Sequence, residues 1–301
     1  MSVPNSTEGA STSSRSMNPI GGALCVLAGT FLLTCHDAIS KFMTTEYSVG
    51  EVMVYRSVAP LVLLSLILCH SGGPRALLPR SPKGNLTRGV LAAITSFLVV
   101  SAYARMPLAD ALTIIFASPI FVTALSAPLL GEAVSWRRWL AVLAGFLGVV
   151  VMVNPTGDVI RLGAIIAVGA SLAAAFRDVI TRRVGTADST TSLMFYSTLC
   201  TALLGLPFMG LADTSVPSIE DCGLFLIAGF FVTSAHWLLI KAYQIAEASL
   251  VAPLRYVAIV YAIVIGFLVF DEQPGLAQFL GASIVIFAGV YVVRPERTGA
   301  S

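Results

Sequence analysis

Strongly apolar segments alternate with short polar breaks from Asn18 to Val293, and the pattern predicts ten membrane spans. A helix needs about 20 apolar residues to cross the hydrocarbon core, with a range of about 17 to 25. The predicted spans are 18–40, 51–69, 87–104, 108–130, 136–153, 160–182, 192–211, 221–240, 248–270 and 274–293. Ser71-Gly72-Gly73-Pro74 opens the longest loop, Asn154-Pro155-Thr156-Gly157 divides the halves, and Ala212-Asp213-Thr214-Ser215-Val216-Pro217 precedes the eighth span. Such Gly, Pro and Asn clusters punctuate helices.

The first five segments read as a faint copy of the last five. His36-Asp37-Ala38-Ile39-Ser40-Lys41 returns as Arg177-Asp178-Val179-Ile180-Thr181-Arg182. Ala102-Tyr103 returns as Ala242-Tyr243, and Glu132 returns as Glu272. A unit with an odd number of spans ends on the side opposite its start, so its copy must enter the bilayer upside down. Inverted repeats are an architecture of secondary transporters, with the substrate site near the midplane. The expected fold is an all-α integral membrane protein with ten transmembrane helices in two inverted five-helix repeats, 18–153 and 160–293. Residues 1–17, rich in Ser, Thr and Asn, are expected to be a disordered cytoplasmic tail, and 294–301 a second tail.

Composition sharpens this picture. Apolar residues make up 56% of the chain and charged residues 11%, against roughly 25% charged in soluble domains. A net charge of +2 is too small for a nucleic-acid footprint. Cys25, Cys35, Cys69, Cys200 and Cys222 show no C-x-x-C spacing and read as buried free thiols, so no metal and no cofactor are expected. With the N-terminus inside, twelve Lys and Arg fall on the inner side (Arg15, Arg75, Arg80, Lys83, Arg88, Arg137, Arg138, Arg182, Arg183, Lys241, Arg294, Arg297). Only Lys41, Arg105 and Arg161 fall outside. This bias predicts both termini in the cytoplasm; a bacterial inner membrane is the expected location.

Ionisable groups inside spans are costly, which makes them candidates for function. One cluster lies near the outer face: His36, Asp37, Lys41, Glu51, Arg56, Arg105 and Asp110. The other lies near the inner face: Arg177, Asp178, Arg182, Lys241, Glu247 and Arg255. Asp37/Lys41 and Asp178/Arg182 are each one turn apart and can neutralise themselves on their own helices. As repeat-related pairs they are also expected at the two gates, with Arg56 beside them. Arg56 and Arg255 have no acid one turn away; Asp37 is the expected partner of Arg56, and Asp178 or Glu247 that of Arg255. The alternative to such fixed pairs is contact with a substrate carboxylate or phosphate. His236, Trp237, Tyr256, Tyr261, Tyr103 and Tyr243 supply aromatic and polar groups, although a Trp or Tyr in a span is more often an anchor or a packing residue. Pro119 and Pro253 free backbone carbonyls inside spans. Ala141/Gly145 and Ala144/Gly148 suggest close helix packing.

The chain resembles the drug/metabolite transporter superfamily, EamA type. The residues that carry this are Asp37-Ala38-Ile39-Ser40-Lys41, Ala117-Ser118-Pro119, Leu129-Leu130-Gly131-Glu132, Glu247-Ala248-Ser249-Leu250-Val251-Ala252-Pro253 and Phe270-Asp271-Glu272. The resemblance implies a central cavity formed by helices 1, 3, 4, 6, 8 and 9. His36, Tyr103, Arg177, Trp237 and Arg255 would then reach it, with His236 and Tyr256 beside them. It implies amino acids, nucleobases, riboflavin or other amphipathic metabolites as cargo, without choosing among them. No phosphate-binding G-x-x-x-x-G-K-[ST] loop is present, so ATP is not the direct energy source.

The expected function is alternating-access transport of a small amphipathic metabolite, anionic or zwitterionic, without enzymatic activity. The competing expectation is a membrane-embedded enzyme acting on a lipid or isoprenoid, which would need convergent acids that this chain divides between two faces. Expected partners are the substrate and the bilayer, with no nucleic acid; a homodimer stays open.

Overall fold

A computed structural model describes residues 18–72, 81–118, 120–122, 124–125, 136–153, 158–184, 190–209, 216–246 and 254–293. The structure is helical: α1 Pro19–Met43, α2 Val49–Gly72, α3 Pro82–Tyr103, α4 Leu108–Ile115, α5 Trp136–Val153, α6 Asp158–Val184, α7 Thr190–Met209, α8 Ile219–Ile245, α9 Val257–Phe270 and α10 Leu276–Val293. Six of them contain stretches long and apolar enough to cross a membrane: α1, α2, α3, α6, α7 and α8. Tails 1–17 and 294–301, Glu132, Glu247 and Pro253, and the side chains of Arg182 and Tyr243, lie outside the described residues.

Local chemistry explains where the helices begin. Asn18 caps α1, its Oδ1 accepting from the Gly21 amide at 2.8 Å, and Pro19 opens the first turn. Ser48 and Glu51 form a reciprocal capping box at α2: the Ser48 amide donates to Glu51 Oε2 at 2.8 Å, and the Glu51 amide to Ser48 Oγ at 3.3 Å. Ser218 caps α8 by accepting from the Asp221 amide at 3.1 Å. After α4 the chain turns at Phe116 and Ala117. Ser171 of α6 donates to the Ile115 carbonyl at 3.2 Å; Pro119 lies outside the described residues.

The helices pair in a regular way. α1 packs along α8 and α3 along α6; α2 pairs with α7, α5 with α10 and α4 with α9. Small residues allow the close approaches. A Cβ on Gly50 of α2 would lie 2.5 Å from the Met209 backbone, and one on Gly205 of α7 would lie 2.9 Å from the Gly50 carbonyl. Gly148 of α5 lets the Gly281 carbonyl of α10 come within 3.1 Å of where its Cβ would be.

The buried core is centred on α4, where Leu108, Ala111, Leu112 and Ile114 pack against Tyr103, Ala164, Ala167, Ala262 and Val285. The outer surface is apolar as well: Phe287 is 75% and Leu268 73% exposed. Water would penalise such a surface, whereas lipid tails match it. The five cysteines are free, as expected, but they are not buried. Cys69 and Cys222 are exposed and the other three intermediate, which a thiol tolerates in an apolar surround.

Candidate functional site

A cavity of about 200 Å³ lies between the six long helices. His36 of α1 and Arg56, Ser57, Pro60 and Leu64 of α2 form one wall. Arg88, Ala92 and Ser96 form a stripe on α3 at four-residue spacing. Arg177 comes from α6, Met194, Ser197, Thr198 and Thr201 from α7, and Val232, Thr233 and His236 from α8. α2 and α7 thus stand where the resemblance implied α4 and α9, whose facing side chains instead fill the apolar core. Pro60 lies within α2 and leaves the Arg56 carbonyl without its helical donor.

One end of the cavity is organised around Arg56. Its guanidinium contacts Ser96 Oγ, donates to Ser40 Oγ at 3.2 Å and meets His36 Nε2 at 3.2 Å. His36 Nδ1 lies 2.9 Å from the Ala228 carbonyl. A carbonyl can only accept, so Nδ1 carries the proton and Nε2 accepts from Arg56. The expected Arg56–Asp37 ion pair is not formed at bonding distance: His36, Ser40 and Ser96 occupy the fork, while Asp37 stays within electrostatic range beside Tyr103. Tyr103 itself is 2% exposed and packs in the core.

The other end holds Arg88 and Arg177. Arg88 Nη1 donates to the Leu193 carbonyl at 3.0 Å and to Ser197 Oγ at 2.8 Å. Its Nε is buried without a hydrogen-bond partner among the described residues. Arg177 binds Asp178 Oδ1 through Nε and Nη2, both at 3.0 Å. Arg88, Arg177 and Arg255 all act electrostatically on His236, whose Nδ1 donates to the Val232 carbonyl at 2.7 Å.

Four sequence-predicted residues therefore meet in one cavity: His36, Arg56, Arg177 and His236. Others do not line it. Trp237 follows His236 by 100° of helix rotation, which turns it outward; it is 60% exposed, with Lys241 Nζ 4.9 Å from its ring centroid. Tyr256 packs against Phe116, Ile259 and Ala282, and Arg255 sits in the turn before α9. Arg88 went unnoticed as a site residue because the predicted third span begins at 87, which makes it an interfacial cation. In the structure α3 begins at Pro82, which places Arg88 more than a turn inside. The Arg88/Ala92/Ser96 and Ser197/Thr201 spacings were the available signals.

The expected Asp37–Lys41 pair is replaced as well. Lys41 Nζ lies 3.2 Å from Glu272 Oε1 and donates to the carbonyls of Met106 at 2.7 Å and Tyr103 at 3.1 Å. Glu272 Oε2 in turn accepts from the Leu108 amide at 2.9 Å. The turn after α9 aims this carboxylate. Asp271 adopts a left-handed φ of 53°, the Glu272 amide closes on the Gly266 carbonyl at 3.0 Å, and a Cβ on Gly266 would lie 2.7 Å from Glu272 Oε2. Glu272 and two backbone carbonyls thus take the place expected of Asp37 around Lys41. Close by, Tyr47 donates to Asp221 Oδ2 at 2.7 Å and packs edge-on against Tyr55 and Phe225. That hydrogen bond pushes the Tyr47 hydroxyl up to about 12.

Long apolar helices around a polar, arginine-lined cavity define a multi-pass membrane transporter of small molecules. The chain belongs to the EamA-like transporter family, whose model matches it twice, at residues 20–154 and 161–294. It is 27% identical to an S-adenosylmethionine uptake transporter of Rickettsia prowazekii (strain Madrid E), over 94% of this chain and 95% of that one. A riboflavin transporter of Vibrio cholerae serotype O1 is 27% identical over 93% and 95%. A pseudopaline exporter of Pseudomonas aeruginosa (strain UCBPP-PA14) is 26% identical over 92% and 97%. A solved crystal structure shares the fold with a TM-score of 0.65 at 18% identity, over 93% of this chain and 98% of that one. Family and relatives are transporters, which sets aside the reading as a lipid or isoprenoid enzyme.

Proposed function

We propose that the chain is a secondary transporter that carries a small anionic or zwitterionic metabolite through the α1/α2/α3/α6/α7/α8 cavity by alternating access. The convergence of Arg56, Arg88 and Arg177 in a cavity enclosed by the six long helices carries this reading. Guanidiniums placed among apolar helices are costly and mark substrate pathways by default.

Ten spans in two inverted repeats, with both termini cytoplasmic in a bacterial inner membrane, complete the proposal. The helix pairings support it. Exchanging α1–α5 for α6–α10 turns α1/α8 into α6/α3 and returns α2/α7, α4/α9 and α5/α10 to themselves. The Lys and Arg bias supports the orientation. Lys41/Glu272 and Tyr47/Asp221 would then close the outer end, whereas Arg88, Arg177 and Met194 carry the cavity toward the inner end. Of the expected gating residues, Lys41 belongs to this closure, Arg56 to the cavity's outer wall with Asp37 behind it, and Asp178 to its inner mouth through Arg177.

Reconstitution tests the reading. Proteoliposomes preloaded with a bacterial metabolite extract should accumulate at least one labelled metabolite by counterflow, and Arg177→Gln should abolish that uptake. Uptake equal to that of protein-free vesicles would refute it.

A further inference from the structure

The transport reading leaves the cargo undefined, and the cavity's donors and acceptors narrow it. Among the described residues its lining holds three guanidiniums and no carboxylate. The nearby acids act on all three: Asp178 binds Arg177 directly and acts on Arg88 at longer range, and Asp37 acts on Arg56 at longer range. Among the described residues no acid bonds Arg88, and its buried Nε still lacks an acceptor. A buried donor without a partner is costly, and the guanidinium that carries it lines the cavity, where a carboxylate or phosphate oxygen would meet its remaining N–H groups. Arg177, close enough to repel Arg88, favours the same anion.

The remaining polar lining has the opposite character. Ser57, Ser197, Thr198, Thr201 and Thr233 each donate their hydroxyl proton to the carbonyl four residues back, at 2.6 to 2.9 Å. Their protons are spent, and what each oxygen offers is lone pairs, one of those on Ser197 already accepting from Arg88. Such a surface receives hydroxyl donors. An ammonium would find oxygens too, but it would sit in a cavity whose fixed charge is already positive, with no carboxylate in the lining to meet it.

Size sets the last limit. A cavity of about 150 Å³ takes a benzene-sized guest, and drug-sized ligands occupy about 300 to 1,000 Å³. The 200 Å³ available here lies between these and nearer the first, which favours a compact guest. S-adenosylmethionine and riboflavin, at roughly 27 non-hydrogen atoms each, are closer to drug size, and the first also carries a sulfonium cation.

We infer that the cargo is a compact hydroxylated organic acid, a sugar acid or polyol phosphate, with its acid group between Arg88 and Arg177 and its hydroxyls along the Ser and Thr oxygens. This rests on the transport reading above. The test is uptake by proteoliposomes of labelled gluconate and glycerol 3-phosphate, with hexanoate, riboflavin and S-adenosylmethionine as comparators. Gluconate or glycerol 3-phosphate should be carried. Arg88→Gln should reduce that uptake about tenfold or more, and Arg88→Lys should restore part of it at equal thermal stability. Ser197→Ala combined with Thr201→Val should raise the KM for the hydroxylated acid. Uptake of riboflavin or S-adenosylmethionine but of neither hydroxylated acid would overturn the inference and leave the transport reading intact. So would hydroxylated-acid uptake that Arg88→Gln leaves unchanged. Failure of monodisperse wild-type protein to carry any of the five, or any metabolite by counterflow, would overturn both.

Discussion

At the scale of single residues, the site depends on which atoms already have partners. Arg56 is held by His36, Ser40 and Ser96, so its fork is a fixed wall, whereas Arg88 keeps an unused donor. Tyr47 gives this scale a pH test. Its hydroxyl, near 10 in an unfolded chain, is raised to about 12 by the bond to Asp221. The neutral form is favoured when folded, so the contribution is complete below pH 10 and is lost as pH rises through 12. Tyr47→Phe should abolish the high-pH loosening of the outer end, read as cavity-cysteine labelling between pH 9 and about 12; an unchanged profile would exclude Tyr47 as its cause. Trp237 gives a second test. Trp237→Ala should leave uptake within about twofold of wild type, because the ring lies on the outer face and isolated surface changes cost little. His36, Arg56, Arg177 and His236 were legible in the sequence because an ionisable group inside an apolar run stands out. Trp237 was misplaced because adjacent residues on a helix cannot share a face. Arg88 was hidden by a boundary error of a few residues.

At the scale of elements, apolar runs located the six long helices, since length and hydropathy set what can cross a bilayer. The expected fourth span 108–130 instead turns at Phe116 after α4, and the helix of the ninth, expected from 248, begins at Val257. What the runs could not show was partnership. α2 and α7 line the cavity because glycines let them meet closely, and Gly50 and Gly205 face each other from segments 155 residues apart in sequence. Only contacts reveal such a pair. Small-residue spacing was readable within the fifth span, and there Gly145 and Gly148 do meet α10. Gly205→Leu should force α2 and α7 apart. Overpacking of this kind costs about 1–3 kcal/mol, so the purified protein's thermal midpoint should fall by several degrees. A midpoint equal to wild type would mean that α7 shifts freely against α2. Gly223, which has open space around it, is the matched control: Gly223→Ala should be neutral or slightly stabilising.

At the scale of the whole molecule, alternating access requires that one end be shut while the other admits cargo. The Lys41 joint ties four elements together. Lys41 of α1 grips the carbonyls that end α3, Glu272 follows α9, and the same carboxylate holds the first amide of α4. Opening that end must break these bonds together, since each uses Lys41 or Glu272. Glu272→Gln keeps the size and the acceptor for the Leu108 amide but removes the charge that balances Lys41. Losing one partner of a largely buried pair costs about 3–5 kcal/mol, and that cost falls on the closed state alone. The equilibrium should therefore shift toward opening at this end. In a cysteine-free background, a reporter cysteine at Ser57 should react faster with an impermeant maleimide applied from outside when Glu272→Gln is present. A cysteine at Val216 should react from outside in both backgrounds, and one at Lys83 in neither, because the same topology places them on opposite faces. If the Ser57 reporter is unchanged while the thermal midpoint falls, the joint is a structural tie. If Lys83 labels from outside, the orientation itself is reversed, and the closed end faces the cytoplasm.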